Sequence, residues 1–287
     1  MEKLIQWLAA RPLVNVGMAL VYYLLVVLPH EWVGVQVGAW LSGLTRSQAN
    51  TRILIAVFVS LALYFIPVFR GLFRAPQKWG TLFYLVATIA LTVLAFNTLV
   101  ILNTELIHFF QYAMMAVLMF PLCKTYGSTL FWVCLLGAID EGYQYFYLAP
   151  ERTGYYDFND VIINTLGGVF GLILLKSQGI AFMLNKAKQW WKNPIFWTIL
   201  GGILIFIALK VGGLLYVYPP DGDTVTPILL YAKPRPPVFW SVVYPRVYYH
   251  VVQPLEGLIL TSILLLFYKG LDLVDKTSNT PAVKTRI

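Results

Sequence analysis

The sequence predicts an all-α, polytopic membrane protein: a bundle of about eight transmembrane helices with its N- and C-termini on the cytoplasmic side. Hydrophobic residues make up 59% of the 287 and charged residues only 12%. A water-soluble fold cannot hide that much apolar surface, so lipid must solvate much of it. Two further observations agree: apolar stretches of spanning length recur along the chain, and the lysines and arginines between them are unevenly divided.

A membrane helix needs about 20 mostly apolar residues. Eight stretches qualify: Leu13–Leu28, Ile53–Phe69, Thr81–Leu102, Leu106–Leu122, Thr129–Leu148, Asp160–Leu175, Ile195–Val217 and Leu255–Leu271. The first follows basic residues but precedes no small-residue cleavage site, and it is read as a retained span. Only Asn103-Thr104-Glu105 separates the third from the fourth, which predicts a tight helical hairpin. The sixth carries Asn164 and three glycines and is the least hydropathic.

With the N-terminus inside, fourteen lysines and arginines fall on the inner side, six on the outer side, and Lys210 within the seventh span near its outer end. That bias fits eight spans; an odd number would scramble it. The chain is expected to divide into a two-span region (1–80), a four-helix core (81–178), an inner interfacial amphipathic helix (179–193), a second two-span region (194–271) and a cytoplasmic tail (272–287). Lysines beside Trp190 and Trp191 suit a helix in the inner headgroup layer. The outer loop 218–254 holds eight of the sixteen prolines, with Trp240, Tyr244, Tyr248 and Tyr249. Proline at that density precludes a long helix. The aromatics suit an interfacial flap, and an irregular linker is the alternative.

Five of the thirteen acids fall in Ala138–Gly171: Asp140, Glu141, Glu151, Asp157 and Asp160, with one arginine, Arg152. Charge in hydrocarbon costs about 2.5–3.5 kcal/mol per side chain on insertion scales, so it is kept where it has a partner or a task. At a rise of about 1.5 Å per residue, His108, Glu141, Gln144, Asp160 and Asn164 all come out in the outer leaflet. Glu141 and Gln144 are three apart, His108 and Tyr112 four apart, Asp160 and Asn164 four apart, so each pair shares a helix face. The face of Asp160 continues into Gly167, Gly168 and Gly171, small residues that admit a close neighbour. The fifth and sixth spans are therefore expected to pack together, with Glu141, Gln144 and Asn164 at their seam. Structural alternatives stay open. Glu141 could pair with Arg152 as a lock, Asp157 and Asp160 could serve as helix caps, and Asn164 and Gln144 could simply bond across helices. Asp140 sits about 100° around its helix from Glu141 and has no assigned partner.

Taken together, Glu141-x-x-Gln144, Arg152, Asp157-x-x-Asp160-x-x-x-Asn164-x-x-Gly167-x-x-x-Gly171 and, upstream, His108-Phe109-x-x-Tyr112 resemble the VanZ-like family of bacterial membrane proteins. The resemblance spans about residues 103–175. Where that family carries Asp-Lys ahead of the histidine, this chain has Thr104-Glu105, which removes the lysine. The connection from Arg152 to Asp157 is about two residues longer. The resemblance implies a multi-pass protein of the bacterial cytoplasmic membrane, a four-helix core over the third to sixth spans, and a link to glycopeptide (teicoplanin-type) tolerance in the namesake. It supplies no reaction.

The expected function is a polar outer-leaflet pocket that binds a lipid headgroup or cell-envelope intermediate. Arg152 would hold a phosphate or carboxylate, with His108, Gln144 and Asn164 as neutral hydrogen-bonding groups. The alternative is a non-catalytic subunit of a larger membrane complex, with the polar cluster as a structural lock. An enzyme would use Glu141 as acid or base and Asp157 with Asp160 on a divalent cation. The chain has no serine or cysteine nucleophile beside a base, no HExxH and no phosphate-cradling glycine loop. Cofactors and metals are accordingly not expected. Membrane lipids and other membrane subunits are the expected partners, and nucleic acid is not. Cys123 and Cys134 read as small core residues.

Overall fold

In the computed structural model the described residues are 1–75, 78–100, 103–148, 155–182, 193–217, 228–230, 239–244 and 247–274. They form ten helices: α1 Glu2–Ala9, α2 Pro12–Val27, α3 His30–Ser42, α4 Arg46–Arg74, α5 Lys78–Thr98, α6 Ile107–Cys123, α7 Tyr126–Tyr143, α8 Phe158–Ser177, α9 Pro194–Val211 and α10 Pro254–Tyr268. A 3-10 turn, Asn103–Leu106, leads into α6, and a π-helical turn, Gln144–Leu148, extends α7. Every apolar stretch predicted as a span is helical over most of its length.

Five helices are long and apolar enough to cross a membrane: Ser47–Arg74 within α4, α5, α8, α9 and Pro254–Asp272. The pair α1 and α2, bent by 110° at the Ala10-Arg11 break, makes a sixth if counted as one span. Helix α6, at 17 residues, falls just short by length. Pro12 explains the break, since it starts a helix readily but cannot continue one. Helix α3 was not foreseen; His30–Ser42 is too short to have stood out as a span.

Local chemistry sets several boundaries. Thr45 and Gln48 form a reciprocal capping box at the start of α4, with bonds of 3.3 and 3.0 Å. The Asp157 side chain accepts from the Asn159 N–H at 2.9 Å and caps α8. The capping role considered for Asp157 is thus the one it plays.

Helix α8 is the axis of the molecule, with eighteen of its twenty residues buried. It packs against α6 most extensively, then α7, α5, α10 and α4. Adjacent residues on a helix point about 100° apart, and α8 uses that to touch two neighbours through small residues. A Cβ on Gly167 would meet the Phe109 backbone of α6, and one on Gly171 would meet the Ala113 carbonyl. A Cβ on Gly168 would instead meet Val133 of α7 at 2.7 Å. The expected packing of the fifth span on the sixth is present, through Gly168, and the other two glycines face the fourth.

Tyrosine hydroxyls pin this core from outside. Tyr22 and Tyr23 of α2 donate to the Gln111 and Leu136 carbonyls, and Tyr64 of α4 donates to Phe170, each at 2.9 Å. Within the last third of α4 the Pro67 carbonyl accepts the Gln178 amide at 2.7 Å.

Helix α10 joins the core rather than standing apart. Gly257 lies against the Phe158 ring, and the Tyr268 and Thr88 hydroxyls are 2.8 Å apart. Beyond it, Asp272 accepts the Tyr126 and Gly127 N–H groups at 2.7 and 2.9 Å, an acid placed where the start of α7 favours one. The buried Lys176 donates to the Leu271 carbonyl at 2.9 Å. By contrast, no residue of α9 is buried.

Described parts of the proline-rich loop form two short strand pairs, β1 Leu215–Tyr216 with β2 Ile228–Leu229 in parallel, and β3 Ser241–Tyr244 with β4 Val247–Tyr249 antiparallel. They touch the α7–α8 connection, where Tyr156 N–H donates to the Leu230 carbonyl at 2.8 Å and the Tyr145 hydroxyl donates to Leu229 at 2.7 Å. The expected interfacial helix with Trp190 and Trp191, and most of the expected tail, lie outside the described residues.

Candidate functional site

Three helix ends meet where α6 begins, α7 finishes and α8 begins. From α6 come His108 and Tyr112, four residues apart and both buried; their rings lie 6.5 Å apart and nearly parallel. From α7 come Asp140 and Glu141, also buried. Gln144 opens the wider π-helical turn, a local widening common at functional sites. From α8 come Asp160 and Asn164, with Asp157 as its cap.

Asp140 is the hub. Its side chain is fully buried, accepts the Tyr112 hydroxyl at 2.8 Å on Oδ2 and accepts the Gln144 amide at 3.1 Å on Oδ1. The same amide nitrogen lies 3.4 Å from Glu141 Oε1, so Gln144 spans both acids. The sequence paired Gln144 with Glu141 and left Asp140 unassigned. The overlooked signal was the Asp140–Gln144 spacing of four, as good a same-face pair as the spacing of three.

Asp160 faces back across to α6, with Oδ2 4.0 Å from His108 Nε2. Asn164, one turn further on, is fully buried, and neither its amide nitrogen nor its oxygen has a hydrogen-bond partner. The space around it is tight. A Cβ on Gly137 of α7 would stand 3.0 Å from Asn164 Cβ, 3.3 Å from its Nδ2 and 3.4 Å from the Tyr112 ring. The asparagine amide thus lies beside Gly137, one turn below Asp140 and Glu141.

Hydroxyls flank this point. The Tyr23 hydroxyl takes the Leu136 carbonyl on one side of Gly137, and the Tyr156 hydroxyl takes Ala138 on the other at 2.6 Å. Neither tyrosine was singled out from the sequence, because tyrosines in an aromatic-rich membrane chain carry no distinguishing pattern.

Beside the cluster, Asn159 ties down the segment that leads into α10. Its amide donates to the Leu99 carbonyl at 3.1 Å and the His250 carbonyl at 2.7 Å, while its oxygen accepts the Val252 N–H at 2.9 Å. Nothing in the local spacing marked Asn159, since its three partners are backbone groups far away in sequence. His250 is itself held, with Nε2 2.9 Å from both Glu256 oxygens and its ring stacked 3.8 Å over Phe239.

Asp157 sits just outside α8. Burial pushes its carboxyl from 3.8 up to about 6, against the pull of the Asn159 and Asp160 N–H groups. Among the described residues, no three histidine, cysteine or acidic side chains converge closely enough to hold one metal ion. Arg152, the expected anion clasp, lies outside the described residues, as does Glu151.

A family model described as VanZ/LLP1 matches residues 18–183, which takes in all three site helices and most of α2. No curated protein and no solved structure matches the chain.

Proposed function

Because the chain belongs to the VanZ/LLP1 family, we propose that this helical membrane protein binds a polar lipid headgroup or lipid-linked cell-envelope intermediate where α6, α7 and α8 meet. The proposal places the chain in a bacterial cytoplasmic membrane, spanning it eight times with both termini inside, which puts the site in the outer leaflet. The lysine and arginine distribution supports that orientation.

One observation carries the proposal. Asn164 is fully buried with both amide atoms unsatisfied. Leaving a buried polar group unpaired costs about 1–3 kcal/mol, so a group of this kind is explained by a partner that arrives from outside the chain. Tyr112 meets α7 at Gly137, as Asn164 does, and further along that helix Asp140, Glu141 and Gln144 are tied together by hydrogen bonds. Arg152, at the outer connection, would clasp the phosphate or carboxylate of the same ligand.

The test separates ligand binding from a structural role. Asn164→Leu is similar in volume and removes the unsatisfied amide. It should keep or raise the thermal midpoint of the purified protein while abolishing lipid retained in native mass spectrometry. Arg152→Ala should weaken retention at unchanged stability. If Asn164→Leu instead melts early and keeps its lipid, the cluster is a structural lock.

A second reading is supported by α9, which buries none of its eighteen residues. A subunit of a larger membrane assembly would use such a helix as a contact surface. Affinity purification in mild detergent tests it: a stoichiometric partner favours the subunit, a lone monomer the binder.

A further inference from the structure

Helix α1 has only eight residues, Glu2–Ala9. At a rise of about 1.5 Å per residue that is about 12 Å, too short to cross a hydrocarbon core of about 30 Å. It is bent 110° from α2, which is 20° past a right angle. Where α2 spans the bilayer, α1 therefore lies close to the membrane plane. Pro12, at the first position of α2, fixes the corner.

The circumference of α1 divides into three faces, at about 100° per residue. Ile5 and Leu8 are fully buried and seat the helix on the core, where it packs against α6 and α2. About 100° round in one direction come Leu4 and Trp7, apolar yet 51% and 43% exposed. About 110° round in the other come Glu2 and Gln6, both exposed, with the Gln6 amide donating to Glu2 at 2.9 Å. The apolar and polar flanks are thus nearly opposite, and neither is the face that holds the core. A helix in water gains nothing by gathering Leu4 and Trp7 on one flank. A helix at a lipid–water boundary requires that order.

The cations are a second and independent observation. Lys3 and Arg11 are exposed, and Lys3 points almost directly away from the face that carries Ile5 and Leu8. Arg11 folds across the corner, its guanidinium 4.8 Å over the Trp7 ring. An indole ring beside a long-stemmed cation suits the depth of the headgroups, where ring and stem are half-solvated and the charge stays wet. The guanidinium also offers paired N–H groups that match phosphate oxygens.

We infer that α1 is a membrane-surface helix whose partner is the phospholipid headgroup layer. Leu4 and Trp7 dip toward the acyl chains, Lys3 and Arg11 reach phosphate oxygens, and Glu2 and Gln6 face water. In the orientation proposed above, the layer is the inner one. The inference is independent of the α6–α8 junction, so ligand binding there and the seating of α1 can fail separately.

The experiment places the full-length protein in vesicles of equal parts phosphatidylcholine and phosphatidylglycerol. Nitroxide labels are attached one at a time at Leu4→Cys, Gln6→Cys and Val21→Cys, and the unsubstituted chain gives the background from Cys123 and Cys134. Val21, exposed within α2, marks hydrocarbon. Relaxation by oxygen relative to a water-soluble nickel chelate should be at least threefold higher at Leu4 than at Gln6, and close to that at Val21. Lys3→Gln combined with Arg11→Gln should at least double the chelate's effect at Leu4. The substituted side chains are all exposed, and an unchanged thermal midpoint shows that each variant is folded. Equal access of the chelate to Leu4 and Gln6 overturns the inference by placing α1 in water. Shielding of Leu4 from both relaxing agents overturns it as well, because a protein surface then covers that flank. A chelate effect indifferent to the double substitution overturns the phosphate contact of Lys3 and Arg11.

Discussion

Asp157 carries two duties that pull its protonation in opposite directions. As the cap of α8 it accepts backbone N–H groups, which favour the carboxylate, yet burial favours the neutral acid and wins, raising it to about 6. The unfolded chain ionises the same group near about 3.9. Between these values the folded state holds the proton more tightly, so this contribution to stability is complete below about pH 4 and is lost as pH rises through about 6. The thermal midpoint in detergent should therefore fall across that window. Asn caps helices about as well as Asp, so Asp157→Asn should flatten the fall without costing the helix its cap. Equal slopes for the two proteins would remove the effect from this residue. Legibility at this scale followed local spacing. The i, i+3 and i, i+4 pairs on one helix could be written down from the sequence, and Asp157 as a cap followed from the polar tetrad before an apolar run. The Tyr112–Asp140 bond spans 28 residues between two helices, and no periodicity announces such a pair.

Glycines show how the same residue type means different things on different helices. Gly171 of α8 faces the Ala113 carbonyl of α6 so closely that an added methyl would meet backbone, which cannot swing away as a side chain can. Overpacking of this kind costs about 1–3 kcal/mol, and Gly171→Ala should lower the thermal midpoint accordingly. On α9, a Cβ at Gly201 would meet nothing within 4 Å. There, Gly201→Ala should be neutral or stabilising by about 0.5–1 kcal/mol, because alanine loses less backbone freedom in a helix. Comparative melting of the two variants checks both statements. The stripe of small residues on α8 and the fifth span that Gly168 faces were read from the sequence; the fourth span, which Gly167 and Gly171 face, was not. Gly167 and Gly168 are adjacent and point to different neighbours, and that choice depends on where α6 lies, which α8's own sequence does not contain. The existence of the long helices was legible because apolar length suffices to predict it. The short α3 and the two strand pairs lay below that threshold.

At the scale of the whole molecule, the family match ends at residue 183 but the core does not. Helix α10 and the turn after it pack on α5, α7 and α8 from seventy residues further along the chain: Gly257 against Phe158, Tyr268 against Thr88, and Asp272 on the first N–H groups of α7. The buried Lys176 ammonium completes the arrangement by donating to the Leu271 carbonyl. Removing α10 and the turn after it would take the Leu271 carbonyl from that ammonium, which also lies 4.7 Å over the Tyr126 ring, and a hydrogen bond to a charged group is worth about 1.5–3 kcal/mol. It would also take Asp272 from the Tyr126 and Gly127 N–H groups, leaving α7 with its Thr125 cap, and expose the Phe158 ring and the Thr88 hydroxyl. A chain truncated after residue 182 keeps every residue of the α6–α8 junction, so a self-sufficient core would leave it folded. The expected outcome is the opposite: the truncated chain aggregates or melts well below the full-length protein in the same detergent. Supplying residues 193–287 as a separate co-expressed chain should restore the midpoint, because the missing contacts are packing and hydrogen bonds that need no covalent link. Lys176→Met in the full chain is the control, since it removes the charge that needs a partner while leaving α10 in place. If the truncated protein melts with the full-length one, α10 contributes nothing that the core requires.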